Sequence, residues 1–100
     1  MLNTKLASVT YKQLFGGSGD TTVTIENIFN YDIIVIQSMV SNITLGSTTI
    51  FKDRFTAYGG VHNLYVNQGY VQASFLSSTS VKITTTVAGG WWFIYGIKLG

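Results

Sequence analysis

The groups that could do chemistry in this chain are few: the acids Asp20, Glu26, Asp32 and Asp53, and one histidine, His62. A carboxylate pair of the kind that hydrolyses glycosides could in principle come from Glu26 and Asp32. They flank one turn, where an isolated acid ordinarily caps backbone amides or meets solvent. A Ser–His–Asp arrangement would require His62, Asp53 and one of nine serines, and no nucleophile-elbow pattern marks any of them. His62 falls on the polar side of Val61-His62-Asn63-Leu64, which reads as a solvated or hydrogen-bonded imidazole. One histidine and no cysteine leave a transition metal without ligands, and no disulfide can form. Gly16-Gly17-Ser18-Gly19 lacks the lysine and helix that follow in a phosphate loop, so it reads as a hairpin turn. Neither an enzyme nor a cofactor is expected.

Binding chemistry is better represented. Tyr58, Tyr65 and Tyr70 stand beside the turns Gly59-Gly60 and Asn67-Gln68-Gly69, in the company of Asn63, Asn67 and Gln68. An aromatic face stacks on a sugar ring while amides bond its hydroxyls, so these six residues are the candidate glycan contacts. Tyrosines at the rim of a β-sheet protein also fill core edges, and the sequence leaves that choice open. Lys52-Asp53-Arg54 interleaves opposite charges and suits a solvated loop or an interface salt bridge. Asn42-Ile43-Thr44 matches a glycosylation sequon but has no secretion signal to go with it.

Composition sets the frame in which such sites must stand. Of 100 residues, 46% are apolar, 14% aromatic and only 10% charged. Thr (13), Ser (9), Asn (6) and Gln (4) must therefore provide the polar surface. One modest domain over residues 1–100 fits this length, and disorder or a charged coiled coil does not fit this composition. The net charge is +2, with six basic residues spread too thinly to neutralise adjacent phosphates. No nucleic-acid partner is expected. Residues at the N-terminus lack the apolar core of a signal peptide, and Ile33–Ile36 is far too short to cross a bilayer. A soluble product without membrane insertion is expected.

Val (9), Ile (10) and Thr (13) make the chain rich in β-branched residues, and glycine or asparagine turns recur at short intervals. The pattern predicts an all-β antiparallel sandwich, jelly-roll-like, of seven or eight strands. The predicted strands cover 21–29, 33–40, 43–51, 61–66, 70–76, 81–86 and 91–98. Residues 1–15 fit a strand or arm, although Leu6, Thr10 and Leu14 also fit one helical face. Two segments are apolar on both sides. Ile33-Ile34-Val35-Ile36 is one; in the other, Trp91, Phe93, Tyr95 and Ile97 share a side opposite Trp92 and Ile94. A strand in a two-layer sandwich hides only one face, so the surplus calls for a cover. Either the chain's own N- or C-terminal segments fold over it or a neighbouring subunit does; with so little charge to keep an apolar surface dispersed, the neighbouring subunit is the expected cover. The candidate assembly residues are Ile34, Ile36, Trp91, Trp92, Phe93 and Tyr95.

The C-terminal third carries a resemblance. Val81-Lys82-Ile83-Thr84, Gly90-Trp91 and the closing Ile94-Tyr95-Gly96-Ile97-Lys98 resemble the ends of small β-sandwich domains in tailed-bacteriophage virion proteins. In tail-fibre and related receptor-binding modules, a Ser/Thr-rich strand, a Trp and a Tyr-Gly-Ile-Lys-like last strand recur. The resemblance implies a virion structural protein, assembled in the host cytoplasm, that packs against other virion proteins. It implies a homotrimer contacting a bacterial surface glycan, associated with the tail or fibre and contributing to host attachment. The sequence starts at Met1 with no shaft repeats ahead of the sandwich. This raises the alternative of a capsid decoration protein that cements shell subunits through Leu2–Phe15 and the aromatic last strand. A carbohydrate-binding module is the further alternative.

Overall fold

Runs of Val, Ile and Thr become strands wherever a small or left-handed residue lets the chain reverse. A computed structural model describes residues 9–56 and 60–99. Its strands are β1 (Thr10–Gly17), β2 (Thr21–Thr24), β3 (Ile33–Val40), β4 (Ile43–Phe51), β5 (Val61–Val66), β6 (Gly69–Ser77), β7 (Ser80–Thr85) and β8 (Gly90–Lys98). They form two four-stranded antiparallel sheets, ordered β1-β8-β3-β4 and β2-β7-β6-β5. The expected all-β sandwich is the observed fold. First pairs with last (β1 with β8) and second with next-to-last (β2 with β7), the nesting of a jelly roll. The inner strands instead pair with their chain neighbours.

The sheets meet over one core. Ile34, Ile36, Ile50, Trp92 and Ile94 come from the first; Val23, Leu64, Val71, Ala73, Phe75, Val81 and Ile83 come from the second. The period-two pattern assigns these positions inward. Trp92 is fully buried, and its indole N–H donates to the Gly19 carbonyl at 3.0 Å. Phe15 stacks on it at 5.9 Å, and a Cβ on Gly17 would come within 3.1 Å of its ring. Glycine at that position lets β1 pass close over the indole.

Three assembly candidates are corrected here. Ile34 and Ile36 are 1% exposed and Trp92 is 0% exposed, so all three belong to the core and not to an interface. Their parity along β3 and β8 turns them toward the opposite sheet. The strand expected over 21–29 stops at Thr24. Asn27 takes a left-handed φ of 57°, and a 3-10 turn (Ile28–Asn30) then drops Ile28 into the core. Thr10–Phe15 belongs to the edge strand β1, paired with β8, so the helical alternative fails there. That stretch is not a free arm, while residues 1–8 lie outside the described residues.

Lys52-Asp53-Arg54 is a short helix, α1 (Lys52–Phe55), exposed except for its anchor Phe55. Phe55 packs against Phe75 at 5.6 Å and Phe29 at 6.3 Å.

Gly96 marks another close approach, since an added Cβ would lie 2.6 Å from the Tyr31 ring. Gly96→Ala should cost about 1–3 kcal/mol through this overpacking. A denaturant midpoint unchanged from wild type would refute that contact.

Candidate functional site

The side of the β1-β8-β3-β4 sheet turned away from the core collects every outward residue of the last strand. Register sets Val35 of β3 opposite Tyr95, Gln37 opposite Phe93, Met39 opposite Trp91 and Ile33 opposite Ile97. β1 adds Tyr11 beside Ile97 and Gln13 beside Tyr95, and β4 adds Phe51 beside Ile33. The Tyr11 and Tyr95 rings stack at 5.1 Å, the Phe93 ring follows Tyr95 at 6.5 Å, and Phe93 covers Gly16, where a Cβ would come within 2.8 Å. The Tyr95 hydroxyl donates to Gln37 Oε1 at 3.3 Å. Partial burial, with the nearby Tyr11 phenol second, pushes the Tyr95 hydroxyl above its ordinary pKa, so it stays neutral and a donor.

Trp91 is 51% exposed, Tyr11 61% and Phe51 58%. At roughly 150–250 Å² per aromatic side chain, these three expose on the order of 350 Å². Half-buried neighbours enlarge the patch to about 500–600 Å², the upper range for a lone monomer. Among the described residues no charged side chain occupies an outward position here: Lys12 and Lys98 fall on the opposite parity, and the Lys98 ammonium donates to the Asn30 carbonyl at 3.2 Å. Both edges of this sheet are bulged, β1 at Leu14 and β4 at Leu45, where the pairing register skips a residue. Bulges blunt an edge against strand addition. Of the six assembly candidates, Trp91, Phe93 and Tyr95 stand on this face. Sequence reasoning missed Tyr11, Phe51 and Val35, whose membership follows from register.

The other outer face is polar along β2 and β7, while β5 and β6 expose Val61, Tyr65 and Leu76. β2 and β7 turn Thr22, Thr24, Lys82 and Thr84 outward. Four residues of the β5–β6 hairpin form a cluster. Tyr65 pairs with Tyr70, ring centroids 6.3 Å apart, and Asn63 pairs with Gln72, whose amide N–H donates to Asn63 Oδ1 at 3.0 Å. Asn67 and Gln68 are exposed in the turn at the hairpin tip, and Tyr58 lies outside the described residues. The expected glycan residues Asn63, Tyr65 and Tyr70 are thus brought together, with Gln72 added. Counting back from the two-residue turn would have found Gln72 opposite Asn63.

Two of the four acids are engaged in structural contacts. Asp20 accepts the Thr85 N–H at 2.9 Å and Asp32 accepts the Leu99 N–H at 2.7 Å, each tying one segment to another. A cavity of about 400 Å³ beside the β7–β8 loop is lined by Ser18, Gly19 and residues 85–91, none ionisable. Among the described residues no group of three or more His, Cys, Asp or Glu side chains could hold a metal ion. No helix among them is long and apolar enough to cross a membrane.

His62 corrects the sequence reading. Val61 points outward and is 50% exposed, whereas His62 alternates inward with the buried Leu64. Its ring meets Phe75 edge-on at 5.6 Å, and its Nε2 is buried without a hydrogen-bond partner among the described residues. Burial lowers its pKa from 6.5; the Arg54 backbone hydrogen bond opposes this and the Arg54 charge adds to it. The unfolded chain therefore binds the proton more readily than the folded one. Stability should be full above the unfolded pKa of 6.5 and fall as pH drops through 6.5 toward the lowered folded value. Denaturant midpoints should decrease from about pH 8 to about pH 5, and His62→Gln should flatten the decrease. A steeper loss in His62→Gln would contradict this.

The chain matches no protein-family model, no curated protein and no solved structure.

Proposed function

We propose that this chain is a non-enzymatic structural subunit of a multi-copy particle, of the tailed-bacteriophage virion kind that its C-terminal strands resemble. It self-associates through the outer face of the β1-β8-β3-β4 sheet. The observation that supports this reading is a patch of stacked aromatic rings without one outward charge, on a sheet whose edges are both bulged. An uncharged face can lie against its own copy with no like-charge repulsion. Two such faces would bury about 1,000–1,200 Å², near the lower bound for a specific interface. The resemblance favours three copies and a place at the tail or fibre, in contact with the host surface. Capsid decoration through an N-terminal arm is the weaker reading, because Thr10–Gly17 is already hydrogen-bonded to β8 of its own sheet.

Salt separates this interface from a charge-held one. Sedimentation at micromolar concentration should show the same assembly in dilute and in molar salt, because the face carries nothing for ions to screen. Dissociation with rising salt would contradict the proposal, as would a monomer in both.

A further inference from the structure

The β5–β6 hairpin belongs to the sheet opposite the assembly face, so its outer surface stays open when that face is covered. Tyr65 is 74% exposed, near the hairpin end of the edge strand β5. Beneath it, Tyr70 is held by its backbone. Its N–H donates to Thr86 Oγ1 at 3.0 Å, and its carbonyl accepts from the Thr86 N–H at 3.0 Å and from Thr85 Oγ1 at 2.9 Å. Gly69, at φ 139°, allows this contact, since a Cβ there would collide with Thr86. The aromatic pair therefore rests on a fixed frame, as a preorganised site requires.

One row along the strands stands the Asn63–Gln72 amide pair. Side chains two residues apart on one face are separated by about 7 Å. With Gln72 Nε2 donating to Asn63 Oδ1, the pair is locked in one orientation. It then presents a free acceptor, Gln72 Oε1, next to a free donor, Asn63 Nδ2. An adjacent donor and acceptor match two neighbouring hydroxyls of a ring, and the exposed Tyr65 face offers a platform for that ring's C–H side. The cluster carries no charge; Lys82, the charged residue of this sheet face, stands opposite Ser74 and beyond the amide pair.

We propose that Tyr65, Tyr70, Asn63 and Gln72 form a binding site for a neutral pyranose ring of a glycan, with Tyr65 stacking and the amide pair reading adjacent hydroxyls. A single shallow site of this kind binds at the millimolar level, and several copies in one particle multiply its hold on a surface. The site does not depend on the assembly face, and each can fail alone.

The test is a titration of the isotope-labelled full chain, followed by NMR, with methyl α-glucopyranoside, methyl β-galactopyranoside and N-acetylglucosamine. At least one sugar should give saturable shifts on the Asn63 and Gln72 side-chain amides and on the Tyr65 and Tyr70 backbone. Tyr65→Ala should weaken that binding about tenfold. Gln72→Ala should also weaken it, and both variants should keep the wild-type melting curve. Silence with all three sugars overturns the site, and so do saturable shifts confined to other residues. A loss of native mass in Tyr65→Ala, with the sugars silent, would make the hairpin a contact between copies and overturn it equally.

Discussion

Trp92→Ala should lower folding stability by about 3–5 kcal/mol, the range for removing a large aromatic side chain from a core. The indole is the largest fully buried side chain, touches Phe15 and Gly17, and satisfies its N–H on the Gly19 carbonyl. Its loss leaves a cavity on the core side of the sheet, beneath Gly17 of β1, whose lack of a side chain leaves little to refill it. Domains of this size have about 5–15 kcal/mol in total, so a large share of stability should go. Trp91→Ala, one residue earlier, should cost about 1–2 kcal/mol of monomer stability, because half of that side chain already meets solvent. Urea unfolding of the two variants side by side measures the difference. Equal losses would mean that the alternation along β8 has been misassigned.

Tyr95→Lys should dissolve the assembly and leave the fold in place. Tyr95 lies mid-face between Tyr11 and Phe93, so an ammonium there would be desolvated against neutral rings. A buried unpaired charge costs several kcal/mol, which corresponds to at least a hundredfold weaker association. The fold loses the ring contacts with Tyr11 and Phe93 and the bond to Gln37, all on the outer side of the sheet and away from the core. Thr24→Lys, outward on β2 of the other sheet, is the matched control and should associate as wild type does. Sedimentation of both variants decides the matter: a Tyr95→Lys protein that assembles normally would remove the face from the account.

Most of the frame was legible because its signals are local. β-branched runs between turn residues mark β3, β4 and β5 to their end residues, and β6, β7 and β8 to within one. The parity that divides Trp91 from Trp92 is equally local. What escaped depends on contacts between distant segments. Alternation from Val23 to Ile25 continues inward, yet the strand ends before Ile25, whose N–H bonds the Thr79 carbonyl in a turn remote in sequence. His62 and Val61 could exchange faces without spoiling the composition of β5, and Leu64 is what draws His62 inward. The sequence does not separate Ile34 and Ile36 from the surface candidates, because a strand apolar on both sides does not announce which side meets the opposite sheet. The proposed contact face needs four strands in register, since Tyr11, Tyr95, Val35 and Phe51 are far apart in the chain. Gln72 joined the glycan cluster only through hairpin pairing.

The native mass of the purified chain at micromolar concentration tests the central claim most directly. A particle weighing a whole multiple of 10.9 kDa, two copies or more, is the predicted result. A single 10.9 kDa species with Trp91, Tyr11 and Phe51 open to water would contradict it.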